Sequence, residues 1–264
     1  MIIEKLKVRN YRNYQEYCLE FNHNTTVIIG DNGIGKTNLL ESIALLSSTK
    51  SFRTNSNNDL IKQGSEYAII DGKFIDFNLR ITISNLGRNY FKNQSLIKSS
   101  SEFIGLFQSI VFHPGDLNFL INSPKDRRKF IDSELSKINK GYLINLNNYN
   151  KLIKDRNALF KAKELNLELL AVINDKLSEL MLLIAKQREI FITHINKYLN
   201  KIFINITKEN DQIELIYKSN VKNLTIEEII DLREENKERD IITKQTKFRT
   251  HRDDLNITFN QVDA

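Results

Sequence analysis

A glycine-rich stretch at residues 30–37 constrains the fold more than any other part of this 264-residue sequence. It reads Gly-Asp-Asn-Gly-Ile-Gly-Lys-Thr and fits the pattern G-x-x-x-x-G-K-[ST], in which backbone N–H groups surround an anion. Such a loop needs a buried strand before it and a helix after it. A β-branched run at 25–29 precedes it, and a helical apolar pattern at 36–46 follows. The sequence therefore predicts an α/β fold in which a strand leads into a phosphate-binding loop.

The predicted ligand of this loop is a nucleotide with its divalent cation. Lys36 can reach the β- and γ-phosphates and stabilise their charge, and Thr37 can offer its hydroxyl to Mg²⁺. The helix N-terminus adds a partial positive charge. The predicted contacts are Gly30, Asp31, Asn32, Gly33, Ile34, Gly35, Lys36, Thr37 and Asn38. The motif alone leaves transporters, helicases, kinases and GTPases open, although no Asn-Lys-x-Asp element for reading guanine is evident.

The remaining sequence predicts a sheet interrupted by helices. Strand patterns occur at 2–8, 17–21, 68–75, 79–83, 90–97 and 109–112, and again at 212–217 and 255–259. Residues 116–203 follow a helical pattern with one apolar seam whose spacings alternate between four and three. The seam comprises Leu177, Met181, Ile184, Arg188, Phe191, Ile195, Tyr198 and Ile202. Because Arg188 interrupts this short seam, an ordinary bundle core is favoured over a long coiled coil.

Composition excludes several classes of protein. The single cysteine, Cys18, rules out a disulfide framework, which fits a reducing cytosol and predicts a cytoplasmic protein. No apolar run approaches the roughly 20 residues of a spanning helix, so no membrane partner is expected. A formal net charge of +6 permits a nucleic-acid partner without requiring one. Cys18 falls in a strand pattern and is expected to be buried.

Several sequence blocks resemble the RecF family of recombination proteins, relatives of the SMC-type ATPases that act on DNA. The first, at 7–14, reads KVRNYRNY and resembles that family's N-terminal strand and turn. The loop and its continuation at 30–41 resemble the RecF form of the phosphate-binding motif. Further blocks in the same order lie at 50–54, 59–61, 112–117, 123–132, 149–151, 156–157 and 251–255. The resemblance covers nearly the whole chain.

The resemblance implies an ABC/SMC-type P-loop ATPase head with an inserted helical arm. The head is expected at 1–122 and 206–264, incomplete at its C-terminal end, and the arm at 123–205. It implies ATP and Mg²⁺ as cofactors, with Arg12 and Asn13 approaching the nucleotide, and an ATP-dependent homodimer of the full-length protein. It also implies DNA replication and repair of DNA damage, in the context of the SOS response. There the family binds DNA at single-strand gaps or junctions and works with RecO and RecR to load recombinase.

One departure from the family pattern concerns hydrolysis. RecF chains continue past the 251–255 block into a signature loop and a Walker B strand that ends in Asp, and neither follows Leu255 here. Those elements position the attacking water and stabilise transition-state charge. The sequence therefore predicts nucleotide binding more strongly than turnover, with Lys36 the one candidate for phosphate stabilisation. Two alternatives stay open: a shortened, non-hydrolysing binder of nucleotide or DNA, and an ATPase subunit of another SMC-like or transporter system.

Clustered cations are the candidate DNA contacts, because phosphate binding needs only positive charge. For each of them a solvated surface position is the alternative. Arg12 likewise has a surface position as its alternative to a nucleotide contact. The adjacent Asp253 and Asp254 are expected to form ion pairs or cap a turn rather than bind a metal. The DNA-binding candidates are Arg53, Lys125, Arg127, Arg128, Lys129, Lys247, Arg249 and Arg252.

Overall fold

The computed structural model describes residues 2–22, 24–113, 115–116, 123–209, 211–248, 250, 253–260 and 262–263. The chain divides into two structural units, Met1–Phe112 and His113–Ala264. Arg249 and Arg252, two of the DNA-binding candidates, lie outside the described residues.

The first unit is built on a six-stranded antiparallel sheet. Its strands, in the spatial order β2-β1-β3-β4-β5-β6, are β1 (Ile3–Tyr11), β2 (Tyr14–Glu20), β3 (Tyr67–Phe74), β4 (Asn78–Ser84), β5 (Gly87–Lys92) and β6 (Ser95–Ile97). Alternate residues of the central strands, such as Val8, Ile70 and Ile81, are buried on one face. Helix α1 (Lys36–Ser48) packs against β3 and β4 and adds Leu45 and Leu46 to this core. The helix that follows the glycine-rich loop is thereby fixed on the sheet.

Two features of this unit correct the sequence predictions in detail. The pattern at 90–97 predicted one strand, but Asn93 and Gln94 have positive φ and form a tight turn between β5 and β6. Cys18 is exposed rather than buried, because β2 is an edge strand and Cys18 pairs with Lys7 on the face opposite the core. A 3₁₀ turn (Asn58–Leu60) and helix α2 (Ser100–Phe103) complete the unit.

The strands predicted at 25–29 and 109–112 are absent from the described sheet, so both predictions were wrong. Val27 and Ile29 are 74% and 89% exposed, and Ile110 is 93% exposed. A β-branched run favours a strand but forms one only where a neighbouring strand supplies ladder hydrogen bonds. None of the described residues pairs with either segment as a strand. Only Ile28 of the first segment packs against the core of the unit.

The second unit combines helices with a small antiparallel sheet. Its elements are α3 (Pro124–Ile138), α4 (Lys140–Leu159), α5 (Leu167–Thr207), β7 (Ile213–Lys218), α6 (Ile226–Glu235), α7 (Lys237–Thr243), β8 (Asp254–Phe259) and β9 (Val262–Asp263). Helix α6 starts at a capping box formed by Thr225 and Glu228. Leu177 and Ile184 of the predicted seam are buried, whereas Tyr198 and Ile202 are exposed. The seam is thus the local core of a bundle, as expected.

The sheet of this unit lies beside its helices. β7 contacts α5, and β8 contacts α3. Within the unit, residues after 206 therefore pack with the helices at 124–207, and the division into a head at 1–122 and 206–264 and an arm at 123–205 stays a prediction. None of the helices in the described part of the chain combines the length and hydropathy that crossing a bilayer requires.

Candidate functional site

The glycine-rich loop runs directly into α1, as predicted. Gly35 is the N-cap of α1 with a left-handed φ of 115°, and Gly33 also has a positive φ of 85°. The Asn38 N–H donates to the Gly35 carbonyl at 2.8 Å, which starts the helical hydrogen-bond pattern. The N–H groups of Lys36 and Thr37 come before this bond, at the start of a helix where backbone N–H groups have no partner within the helix. At the surface, beside an exposed loop, they form a site suited to an anion.

The side chain of Lys36 lies along this loop. Its Nζ donates to the carbonyl oxygens of Gly30 at 2.6 Å and Asp31 at 2.7 Å. An anionic phosphate oxygen is a stronger acceptor for the Lys36 ammonium than a neutral carbonyl, because it adds the attraction between opposite charges. Lys36 is therefore placed where a phosphate group in the loop would compete for its N–H donors. Thr37 is exposed next to it.

The side chain of Asn13, in the β1–β2 turn, connects the turn to the loop by hydrogen bonds. The Asn13 amide Nδ2 donates to the Ile34 carbonyl at 2.7 Å, and Asn13 Oδ1 accepts from Asn38 Nδ2 at 2.8 Å. Arg53 Nη1 in turn donates to Asn38 Oδ1 at 2.6 Å. These hydrogen bonds connect the loop backbone to the polar segment that carries Arg53. The structure thus brings together three residues that the sequence nominated separately.

Glu41 is buried beside these residues and was not nominated from the sequence. Its carboxylate is 0% exposed and accepts hydrogen bonds from Tyr11 Oη at 2.8 Å, Arg12 Nε at 2.9 Å and Arg12 Nη2 at 2.6 Å. The Ser51 hydroxyl donates to it as well. Burial by itself raises the pKa of Glu41, but the hydrogen bonds from Arg12, Ser51 and Tyr11 outweigh burial and lower the pKa below its usual range. The only sequence signal for this role is an acidic residue within the apolar side of a helix.

A cationic cavity of about 610 Å³ opens beside these residues. The guanidinium of Arg12 faces it while bound to Glu41 and to the Asp59 carbonyl, the latter at 2.8 Å. Arg53 and Lys62 also line it, with Asp59 as the one acidic residue in its wall. The full lining is Arg12, Asn13, Asn38, Arg53, Asp59, Lys62 and Gln63. This wall complements an anionic group bound next to the loop.

The predicted basic cluster on α3 is partly engaged within its own unit. Arg127 forms a bidentate pair with Asp254 at 2.9 Å, and Arg128 Nη1 donates to the Asp253 carbonyl at 2.6 Å. Lys125 is exposed, and Lys129 lies 3.4 Å from Asp126. Lys247 is half-buried. Their role in DNA binding remains a prediction.

Asp253 and Asp254 form the ion pairs expected from the sequence. Asp254 pairs with Arg127, and Asp253 pairs with Arg188 at 2.8 Å. Among the described residues, no group of His, Cys, Asp and Glu is arranged to hold a metal ion. A cation at the loop would thus depend on Thr37 and on oxygens of a bound nucleotide.

Helix α4 presents a lysine-rich face that the sequence reasoning missed. Lys140, Lys151 and Lys154 are exposed and fall within about 60° of one another around the helix. None of the three forms an ion pair with a residue in the described ranges. Asp155 is the one acidic residue near this stripe on α4. The spacing of eleven and three residues is the signal that could have identified it.

Comparison with known proteins gives consistent matches. The family model described as the RecF/RecN/SMC N terminal domain matches residues 2–201. The DNA replication and repair protein RecF of Clostridium perfringens (strain SM101 / Type A) is 37% identical over 100% of this chain and 75% of its own length. That of Leptospira interrogans (strain Fiocruz L1-130) is 36% identical over 100% of this chain and 73% of its own length.

Solved structures match along nearly the whole chain as well. A structure of the recombination mediator protein RecF-ATPrS in the RecFOR pathway has a TM-score of 0.90 at 29% identity. One of RecF-ATP in the same pathway has a TM-score of 0.89 at 29% identity. Both cover 99% of this chain and 74% of the solved chain.

Proposed function

We propose that this chain, which belongs to the RecF family, binds ATP at residues 30–37 and binds DNA in recombinational repair and replication. The predicted ABC/SMC-type head fold is confirmed by the family match and by the TM-score of 0.90 to a RecF structure. Its role at single-strand gaps, helping to load recombinase, belongs to the same proposal, as do RecO, RecR and a second copy of the chain as partners. The resemblance and the RecFOR pathway named for the solved structure support it.

The observation that carries ATP binding is the geometry of the loop. Lys36 lies along the loop, and Gly35 at the end of the loop is the N-cap of α1. One of the solved structures that this chain resembles is of RecF-ATP. The loop and helix N-terminus would hold the phosphates, and Lys36 would stabilise the charge of the β- and γ-phosphates. The cationic cavity lined by Arg12, Asn13 and Asn38 lies next to the loop, where it complements the negative charge of the nucleotide phosphates.

Mg²⁺ fits this site as a partner of the nucleotide. Thr37 is exposed at the first turn of α1 and is the residue that would hold the ion. The bound cation would neutralise part of the phosphate charge. The remaining oxygen ligands would come from the phosphates and water, since Mg²⁺ commonly keeps several waters.

Removing the Lys36 ammonium group tests ATP binding directly. We expect Lys36→Ala to weaken ATP binding by about 10- to 100-fold, since charge-assisted hydrogen bonds contribute about 1.5–3 kcal/mol. Equilibrium dialysis with ATP and Mg²⁺ gives the dissociation constants. Lys98→Ala is the matched control, because Lys98 is exposed and lies outside the loop and the cavity. Equal affinity in the Lys36→Ala variant and the parent would refute the proposed site.

Hydrolysis is separable from binding. Steady-state release of phosphate that disappears in Lys36→Ala would assign turnover to this chain and reject the non-hydrolysing alternative. ATP binding without turnover would favour that alternative.

The lysine face of α4 is the observation that favours DNA binding. Lys140 and Lys154 lie about 21 Å apart along the helix, given 1.5 Å of rise per residue. Such a row can contact several phosphates of one DNA segment. The exposed side of α5 instead mixes charges, including Asp175, Lys176 and Glu179, as a solvated helix face does.

The salt dependence of DNA affinity tests this surface. We expect the triple variant Lys140→Gln, Lys151→Gln, Lys154→Gln to reduce the slope of log K against log[salt] by about 2–3, at about 0.7–0.9 per phosphate contact. Fluorescence anisotropy with gapped DNA at several salt concentrations measures the slope. The control changes three exposed lysines of α5, Lys176, Lys186 and Lys197, to glutamine. Equal slopes for both variants would contradict a DNA contact on α4.

A further inference from the structure

We propose that Glu41 is a positioning residue that maintains the shape of the phosphate-binding loop by clamping the β1–β2 turn to α1. The inference rests on the proposed ATP binding at that loop and adds a residue that touches neither loop nor nucleotide. Glu41 lies on α1 beyond the loop and is 0% exposed. Its effect on ATP is transmitted through the turn residues Arg12 and Asn13.

The first half of the clamp joins Glu41 to Arg12. Arg12 Nε and Nη2 donate to the two carboxylate oxygens at 2.9 Å and 2.6 Å, a bidentate geometry. Arg12 has a left-handed φ of 54°, which is unfavourable for a residue with a Cβ and persists only where surrounding contacts hold it. Its N–H donates to the Leu60 carbonyl at 2.9 Å and its Nη1 to the Asp59 carbonyl. The turn conformation is thus imposed by α1 and by the 58–60 segment.

The second half of the clamp joins Asn13, the residue after Arg12, to the loop. Asn13 Nδ2 donates to the Ile34 carbonyl at 2.7 Å. A Cβ built on Gly35 would lie 2.8 Å from atoms of Asn13 and 2.7 Å from the Tyr14 hydroxyl, so turn and loop are in tight contact. Arg12 is therefore held by α1, and the adjacent residue Asn13 contacts the loop. A shift of Arg12 would move Asn13 away from Ile34.

The charge of Glu41 gives the clamp its strength. Hydrogen bonds from Arg12, Ser51 and Tyr11 overcome the effect of burial and lower its pKa, so the carboxylate is ionised at neutral pH. Glutamine has similar size but presents one acceptor oxygen and an NH₂ donor, and the donor would face the Arg12 guanidinium. Glu41→Gln therefore breaks the bidentate pair with little change in volume.

We expect Glu41→Gln to raise the dissociation constant for ATP by about 10-fold. This is the effect on affinity when the loop of the variant has its binding-competent shape for about one-tenth of the time. Arg12→Gln should lose at least as much, because Arg12 also lines the cavity beside the loop. The double variant should be little worse than Arg12→Gln alone, because that change already breaks the clamp. Additive losses would instead show that Glu41 and Arg12 act independently, and would overturn the clamp.

The control variant Arg88→Gln distinguishes a positioning role of Glu41 from a general contribution to the stability of the unit. Arg88 Nε donates to Asn57 Oδ1 at 2.8 Å, and its Nη1 donates to the Thr49 carbonyl, so the variant removes partly buried hydrogen bonds from the same unit. Among the described residues, Arg88 forms no hydrogen bond with the β1–β2 turn or with the loop. Both variants should lower the melting temperature, but only Glu41→Gln should weaken ATP binding. Weakening by both, or by neither, overturns the proposal.

Hydrogen–deuterium exchange tests the clamp without ATP. Amides of residues 30–38 should exchange faster in Glu41→Gln than in the parent, and at the parent rate in Arg88→Gln. If the parent binds no ATP, the proposed function fails, while faster exchange at 30–38 would still support the clamp. Unchanged exchange in Glu41→Gln would overturn it even if ATP binds.

Discussion

Replacing Arg188 by methionine is expected to lower the free energy of unfolding of the His113–Ala264 unit by about 3–5 kcal/mol, the usual cost of removing one partner from a buried ion pair. The Arg188 side chain is 2% exposed and donates to Asp132 Oδ1 at 2.8 Å and Asp253 Oδ2 at 2.8 Å. Methionine fills part of the space but leaves both carboxylates without their cation. Asp253 is the more costly of the two, because its side chain is 3% exposed.

Urea unfolding followed by far-UV circular dichroism measures this loss. Lys186→Met is the matched control, since Lys186 is exposed on the same helix and forms no ion pair with a described residue. Adding Asp132→Asn and Asp253→Asn to Arg188→Met should recover part of the loss, because the buried negative charge is then removed. A single variant as stable as the Lys186→Met control would show that the ion pairs contribute little.

The pH dependence of the Arg188→Met variant provides an independent check. Burial raises the pKa of Asp253, while Tyr217 and Arg188 oppose that rise. Without Arg188 the pKa of Asp253 should rise further. A carboxyl group with a raised pKa in the folded state favours folding at low pH and disfavours it as pH increases. The stability deficit relative to the parent should therefore shrink as pH falls through the raised pKa of Asp253, and a constant deficit would contradict this account.

Arg188 also illustrates what the sequence could predict. The seam spacing located the buried face of α5 and marked Arg188 as its interruption. It could not identify Asp132 and Asp253, because these partners are 56 and 65 residues away and are brought together only by packing. A local periodicity predicts which face is buried, whereas ion-pair partners depend on tertiary contacts.

The same distinction applies to the candidate site, where local features could be predicted from the sequence and tertiary contacts could not. The loop and the helix after it follow from a contiguous motif, and the structure places both as predicted. The role of Lys36 in binding phosphate stays a prediction. The contact between Asn13 and Ile34 spans 21 residues, and that between Arg12 and Glu41 spans 29. The motif carries no information on either pair. The strand predicted at 25–29 failed for a related reason, since propensity cannot supply a ladder partner.

Replacing Gly35 by alanine is expected to weaken ATP binding by at least about 100-fold, because two separate penalties coincide at this position. Its φ of 115° is strained for any residue with a Cβ, and the new Cβ would lie 2.7 Å from the Tyr14 hydroxyl and 2.8 Å from Asn13. The turn and the loop would have to separate, and the Asn13 bond to the Ile34 carbonyl at 2.7 Å would be lost. Equilibrium dialysis with ATP measures the effect, and circular dichroism shows whether the unit remains folded.

Substitutions at two other glycines distinguish the effect of backbone strain from that of steric collision. Gly64 has a φ of 85° and no heavy atom within 4 Å of its added Cβ, and it lies outside the loop and the cavity wall, so Gly64→Ala should leave ATP binding unchanged. Gly33 has the same φ and the same open space but belongs to the loop, so Gly33→Ala should give an intermediate loss from backbone strain alone. Adding Tyr14→Phe to Gly35→Ala removes the nearest colliding atom and should restore part of the affinity. If Gly33→Ala and Gly35→Ala weaken ATP binding equally, backbone strain alone explains the loss, and the contact between turn and loop is unimportant.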